Sequence, residues 1–148
     1  MIEHGADGPG VIVVGVDGSE CSWRAAAYAA GMARRQGSRL GIVYVQPTHA
    51  IAASVGLGAA VTETVSKVAQ DIERQIREGA EQMSERAALH WDFYTFPGDV
   101  FIGLSNVADD LRADAVVVGT CRRLEHRFFG SPSLRLVKAR RWPVIVVP

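Results

Sequence analysis

Residues 119–131 bring together the groups that an anion site needs. Gly119 and Thr120 close an apolar run, Arg122, Arg123, His126 and Arg127 follow, and Gly130-Ser131 opens a helix with Ser133 in its first turn. Backbone N–H groups at a helix start, set beside arginines, suit a phosphate. The stretch therefore reads as a phosphate-recognition loop, most simply for a nucleotide. The plainer alternative is a strand-to-helix connection with solvated arginines. A second candidate is Asp17-Gly18-Ser19, directly after Val16 at the end of the first apolar run. Asp17 suits a turn that bonds its own backbone, and Ser19 suits a helix N-cap. Cys21 and Cys121 stand just beyond these two segments. A helix start and nearby arginines lower a thiol pKa, so the pair reads either as a redox switch or as two small, partly buried side chains.

Several other chemistries find no support. The histidines (His4, His49, His90, His126) show no metal-ligand spacing, and two cysteines 100 residues apart make neither a disulfide framework nor a metal motif. No structural metal is expected. There is no G-x-S-x-G elbow, no complete P-loop lysine motif and no G-x-G-x-x-G after the first strand. A phosphoacceptor receiver is disfavoured because strand three ends Thr95-Phe96-Pro97, without an aspartate. The Ser-Gly-Gly-x-Asp-Ser loop of adenylating enzymes is absent. No catalytic residue is assigned, and the chain is read as a non-enzyme with hydrolysis slow or absent.

The elements that must position these residues alternate along the chain. Val11–Val16 is a continuous β-branched run, as in a strand buried on both faces. A helix follows from Glu20 to Gln36, with Ala26, Ala30 and Ala33 on one face and Gly37 ending it. Strand two centres on Leu40–Val45. Pro47 to Val61 forms a Gly/Ala-rich connection, longer than the usual ~4–6 residues and suited to a lid. From Thr62 to Ala88 the spacing Val65, Val68, Ile72, Ile76, Ala80, Met83, Ala87 predicts a long amphipathic helix. His90–Phe96 is strand three, and Pro97-Gly98-Asp99 turns into a helix with Val100, Leu104, Val107, Ala108 and Leu111 inward. Strand four is Ala115–Val118. Ser131 caps and Pro132 begins the last helix, Trp142-Pro143 stops it, and Val144–Val147 is strand five. This order predicts a parallel, doubly wound sheet whose ligands sit at the carboxyl ends of the strands.

The totals agree with such a domain. The chain has 148 residues, 48% hydrophobic and 22% charged, and zero formal net charge. That balance gives no global pull toward nucleic acid or membrane. Charge is nevertheless uneven: residues 119–148 hold six arginines and one lysine against the single acid Glu125. A nucleic-acid partner is disfavoured, since Phe128 and Phe129 read as packing residues rather than stacking platforms. No apolar stretch of membrane length and no basic-then-apolar leader occurs, so a cytoplasmic location is expected. Residues 1–10 read as a flexible tail and 11–148 as one domain.

Taken in order, the pieces Val14-Gly15-Val16-Asp17-Gly18-Ser19, Gly98-Asp99, Gly119, Gly130-Ser131 and Trp142-Pro143-Val144-Ile145-Val146-Val147 resemble the universal stress protein family across residues 11–148. The resemblance implies a three-layer α/β/α, Rossmann-like fold of the adenine-nucleotide-hydrolase type, with a five-stranded parallel sheet of order 3-2-1-4-5. It also implies a homodimer, commonly through strand five; Val144–Val147, apolar and uncharged, is itself an edge that pairing would satisfy. ATP-binding members carry glycine, two residues, glycine, nine residues, then glycine and serine or threonine. Here Gly119 fills the first position, Arg122 replaces the second glycine, and Gly130-Ser131 arrives two residues early. Arginine narrows the backbone approach that glycine allows, yet supplies a charged fork for phosphate.

By this resemblance, Val16, Asp17, Gly18 and Ser19 would face the adenine or ribose end, and Val43 or Val45 would line the base pocket. Gly119, Thr120, Arg122, Gly130, Ser131 and Ser133 would meet ribose and phosphates. The expected function is that of a stress-response dimer sensing ATP or another adenine nucleotide, with binding ordering residues 47–61 and shifting contacts to an unknown protein partner. The alternative is a dimeric interaction module with a degenerate phosphate loop.

Overall fold

The apolar runs become strands β1 (Val11–Val16), β2 (Arg39–Gln46), β3 (Trp91–Pro97), β4 (Ala115–Gly119) and β5 (Val144–Val147). Between them lie helices α1 (Glu20–Gln36), α2 (Gly58–Ser84), α3 (Val100–Asp110) and α4 (Pro132–Ala139). These elements come from a computed structural model that describes residues 10–46, 58–84, 88–120 and 132–148. The strands form one sheet in the order β3-β2-β1-β4-β5, and every adjacent pair is parallel. The three-layer α/β/α architecture and the 3-2-1-4-5 order expected from the sequence are both present.

Alternation along β1 explains the layers. Ile12, Val14 and Val16 pack against Ala25, Ala29 and Ala33 of α1 and Ala69, Ile72 and Ile76 of α2. Val13 points the other way, to Leu104, Val107 and Ala108 of α3 and Leu136 of α4. Both faces are covered, so β1 needs apolar residues at successive positions rather than at every second one. Ile12, Val13 and Val14 are completely buried. Each such side chain contributes about 1.5–3 kcal/mol relative to exposure.

The ends of α1 follow their local chemistry. Ser19 is extended at the N-cap and accepts from the Ser22 N–H, while Gly37 adopts the left-handed conformation at the C-cap. Asp99 caps α3 in the same way, accepting from the Ile102 N–H. Asp114, just before β4, accepts from the N–H groups of Gly10 and Val11 and so ties down the entry to β1.

Three sequence expectations shift. The amphipathic helix starts at Gly58 rather than Thr62 and is described to Ser84. Within it Val68 is exposed, because the buried stripe runs through Ala69, Ile72 and Ile76, one residue round the helix. Val100 is also exposed rather than inward, since it occupies the first position of α3 at the rim of the sheet. Residues 47–57, most of the expected lid, lie outside the described residues, as does Ser131 with its expected cap.

Candidate functional site

The carboxyl end of β1 leads into a tightly hydrogen-bonded turn. The Ser19 N–H donates to Asp17 Oδ1 at 2.8 Å, and the Asp17 N–H donates to Ser22 Oγ at 3.2 Å. Ser22 closes the loop: its N–H donates to Ser19 Oγ at 3.2 Å and its hydroxyl to the Ser19 carbonyl at 2.9 Å. Gly18 turns the chain with φ of 84°, a conformation that favours glycine. Asp17 is an exposed residue. Crowding by neighbouring protein pushes its carboxyl up, but hydrogen bonds from Ser19 and Ser22 outweigh that and hold its pKa below the ordinary value. An ionised acceptor therefore stands at the rim of β1, preorganised by two serines.

Beside it, β4 comes unusually close to the start of α1. A Cβ on Gly119 would lie 2.3 Å from the Cys21 carbonyl oxygen and 3.1 Å from the Ser22 nitrogen. Only a residue without a side chain permits this approach. The next residue is held as well, because the Thr120 N–H donates to the Val147 carbonyl at 2.9 Å. Parallel pairing of β1 with β4 thus brings Val16–Ser19 and Gly119–Thr120 to one edge, with the helix α1 starting between them. Chain connections leave β1 and β4 toward opposite faces, α1 on one and α4 on the other. That reversal is the crevice in which parallel α/β sheets hold ligands.

A second cluster lies at the same edge of the sheet. Arg135, in the first turns of α4, places Nη1 2.9 Å from Oδ1 and 2.8 Å from Oδ2 of Asp99. Its guanidinium also lies over the Phe101 ring, 4.4 Å from the centroid. Slight burial raises the Asp99 pKa, but the Ile102 N–H and Arg135 outweigh it and the net shift is downward. The N-termini of α3 and α4 are joined through this carboxylate.

The remaining expected site residues fall as follows. Val16 is buried at the end of β1, and Val43 and Val45 are buried on the α3/α4 face of the sheet. Ser133 is half-buried in the first turn of α4. Arg122, Gly130 and Ser131 lie outside the described residues, as do Cys121, Arg123, His126 and Arg127. Cys21 is buried and disulfide-bonded, and Arg24 Nη2 lies 3.3 Å from its sulfur.

Sequence reasoning missed Ser22, Tyr44 and the Asp99–Arg135 pair. Tyr44 is buried opposite Val16 in the β1–β2 register, and burial together with the Asp17 charge raises its phenol pKa. Aligning the ends of strands one and two would have placed it there. Among the described residues no group of three or more His, Cys, Asp or Glu could hold a metal, and no helix is long and apolar enough to cross a membrane.

A family model described as the Universal stress protein family matches residues 10–148. The chain is similar in structure to a protein of that family from Burkholderia pseudomallei, with 23% identity, a TM-score of 0.72, and coverage of 94% of this chain and 96% of that one. It is similar also to universal stress protein UspA from Lactobacillus plantarum, at 22% identity, a TM-score of 0.75, and 93% and 97% coverage. A third similar structure is a universal stress protein in complex with cAMP, at 21% identity, a TM-score of 0.62, and 96% and 98% coverage. At these identities the likenesses speak for the fold. No curated protein matches the chain.

Proposed function

Because the chain belongs to the universal stress protein family, we propose that it is a stress-response dimer sensing ATP or another adenine nucleotide at the β1–β4 edge, without appreciable catalysis. The observation that carries this reading is the convergence of Asp17–Ser19 and Gly119–Thr120 around the start of α1, with Gly119 against the Cys21 carbonyl. The Asp17 carboxylate accepts from ribose hydroxyls or the adenine amine. The starts of α1 and α4, with Gly130, Ser131 and Ser133, offer N–H and hydroxyl donors to phosphate. Arg122 adds a guanidinium where ATP-binding members have glycine. The structure of a relative in complex with cAMP supports an adenine nucleotide as the ligand class.

Residues 11–148 act as one cytoplasmic domain, and two copies pair through β5. That strand ends the sheet and leaves Val146 42% exposed. Apolar, uncharged edges of this kind pair readily. Arg122 and the shortened Gly119–Gly130 spacing favour a second reading, a dimeric interaction module without nucleotide.

One experiment separates the two. Small molecules released from denatured protein are identified by mass spectrometry, and the purified protein is titrated calorimetrically with ATP, ADP, AMP and cyclic AMP. A co-purified nucleotide or micromolar binding is expected. No released nucleotide and no heat with any of the four would overturn the sensor reading and leave the interaction module.

A further inference from the structure

On the α1/α2 face the two helices fail to close over the sheet. Ala26 and Ala30 of α1 and Gly79 and Ala80 of α2 line a cavity of about 140 Å³ together with Leu40 and Ile42 of the sheet. Leu40 and Trp91 lie near the amino ends of β2 and β3, with Ile42 further along β2. Of its twelve described lining residues only Gln75 is polar, and none is charged. Trp23 from α1 and Trp91 from β3 contribute indole walls. Trp91 is itself braced by Arg77, whose guanidinium lies 5.4 Å from the ring centroid.

Protein interiors are close-packed, and an apolar gap of this size forfeits dispersion contacts along its whole lining. An engineered apolar cavity of about 150 Å³ stays dry and takes up benzene. The present pocket has a similar volume but is half-open to solvent beside the exposed Ala27 and Gln75, and it offers two aromatic walls. The geometry points to a second ligand site, for a neutral apolar molecule of about one aromatic ring, held between α1 and α2. Among the described residues the lining carries no charged side chain to pair with phosphate, so it does not suit a nucleotide. This site is independent of the nucleotide reading and stands or falls separately.

The test is a titration of isotope-labelled protein with toluene, following the indole N–H resonances of the three tryptophans. Trp142 packs in the opposite layer with α3 and α4 and serves as the internal control. Saturable shifts of Trp23 and Trp91, with Trp142 unmoved, are expected. Ala80→Leu fills the cavity and should weaken toluene binding at least tenfold while leaving the melting temperature no lower than the parent's. Ala26→Leu provides the same test from α1 should the first variant fold poorly. No saturable shift up to the solubility of toluene would overturn the site. So would equal movement of Trp142, or well-folded variants that bind like the parent.

Discussion

A Gly119→Ala substitution sets a methyl group against backbone that has little room to move. The new Cβ would lie 2.3 Å from the Cys21 carbonyl oxygen and 2.7 Å from its carbon, whereas Cβ atoms are essentially never found within 3.0 Å of a heavy atom. The start of α1 and the end of β4 must therefore part by roughly 0.7 Å. Both are anchored, α1 by the Ser19–Ser22 cap and β4 by its pairing with β1 and β5. Overpacking of this kind costs about 1–3 kcal/mol. Taking about 2 kcal/mol, the melting temperature should fall by about 4–8 °C for a chain of this size. The same displacement separates Asp17–Ser19 from Thr120, so nucleotide affinity should drop at least tenfold. Gly31→Ala is the control within α1: its Cβ meets only the tip of the Arg35 side chain, at 3.1 Å, which can swing away. That variant should hold or gain stability, since alanine is favoured over glycine by about 0.5–1 kcal/mol in a helix interior. Thermal melting by circular dichroism and calorimetric titration with ATP read the two effects. A Gly119→Ala protein melting within about 1 °C of the parent would refute the steric reasoning. A clear loss of stability with unchanged nucleotide affinity would instead remove the nucleotide site from this edge.

Asp99→Ala removes a helix cap and the partner of Arg135 together, and should cost about 1–2 kcal/mol, most of it from the cap because the ion pair is partly exposed. The folded Asp99 pKa lies below its unfolded value, so its charge contributes stability above about pH 4 and loses it as pH falls through the lower folded value. The melting-temperature gap between parent and Asp99→Asn should accordingly shrink on acidification; a gap that widens would contradict this. Val146→Lys places a charge on the exposed edge strand β5 and should shift the protein from dimer to monomer in light scattering after size exclusion. Cys21 should resist alkylation in denaturant until a thiol reductant is added, as checked by peptide mass spectrometry; labelling before reduction would mean that no disulfide forms there.

The sheet was readable from the sequence because burial on both faces leaves an unbroken apolar run, as in Val11–Val16 and in Ala115, Val116, Val117 and Val118. The turn at Asp17–Ser19 was readable for a different reason: aspartate, glycine and serine each carry a local backbone preference that neighbouring elements do not override. Harder to see were features that depend on two distant segments at once. Asp99 and Arg135 are 36 residues apart and meet only because α3 and α4 start at the same edge. Tyr44 enters the neighbourhood of Asp17 through strand register alone. Val68 sits within an apolar spacing that looks continuous on paper, yet a rotation of one residue around α2 puts Ala69 in its place.

Small residues link the two sites through a single helix. Along α1 they let the backbone settle onto the sheet, with Ala25, Ala29 and Ala33 fully buried and Gly119 of β4 pressed against the helix start. Close packing at that end sets Gly119 against the backbone of Cys21 and Ser22, the residues that follow the Asp17–Ser19 turn. Further along, Ala26 and Ala30 line the cavity with Gly79 and Ala80 of α2, and these small side chains leave the space unfilled. A bulkier residue at one of these positions would close the cavity without touching the nucleotide edge, whereas a bulkier residue at Gly119 would do the reverse. The substitutions therefore separate the functions, one acting at the start of α1 and the other at the cavity further along it. A variant carrying both Gly119→Ala and Ala80→Leu should show each loss independently, because Gly119 abuts Cys21 and Ser22 whereas Ala80 lines the cavity from α2, and changes at separate sites add. Non-additive loss of nucleotide and toluene binding would instead mean that α1 moves as a rigid lever between its ends.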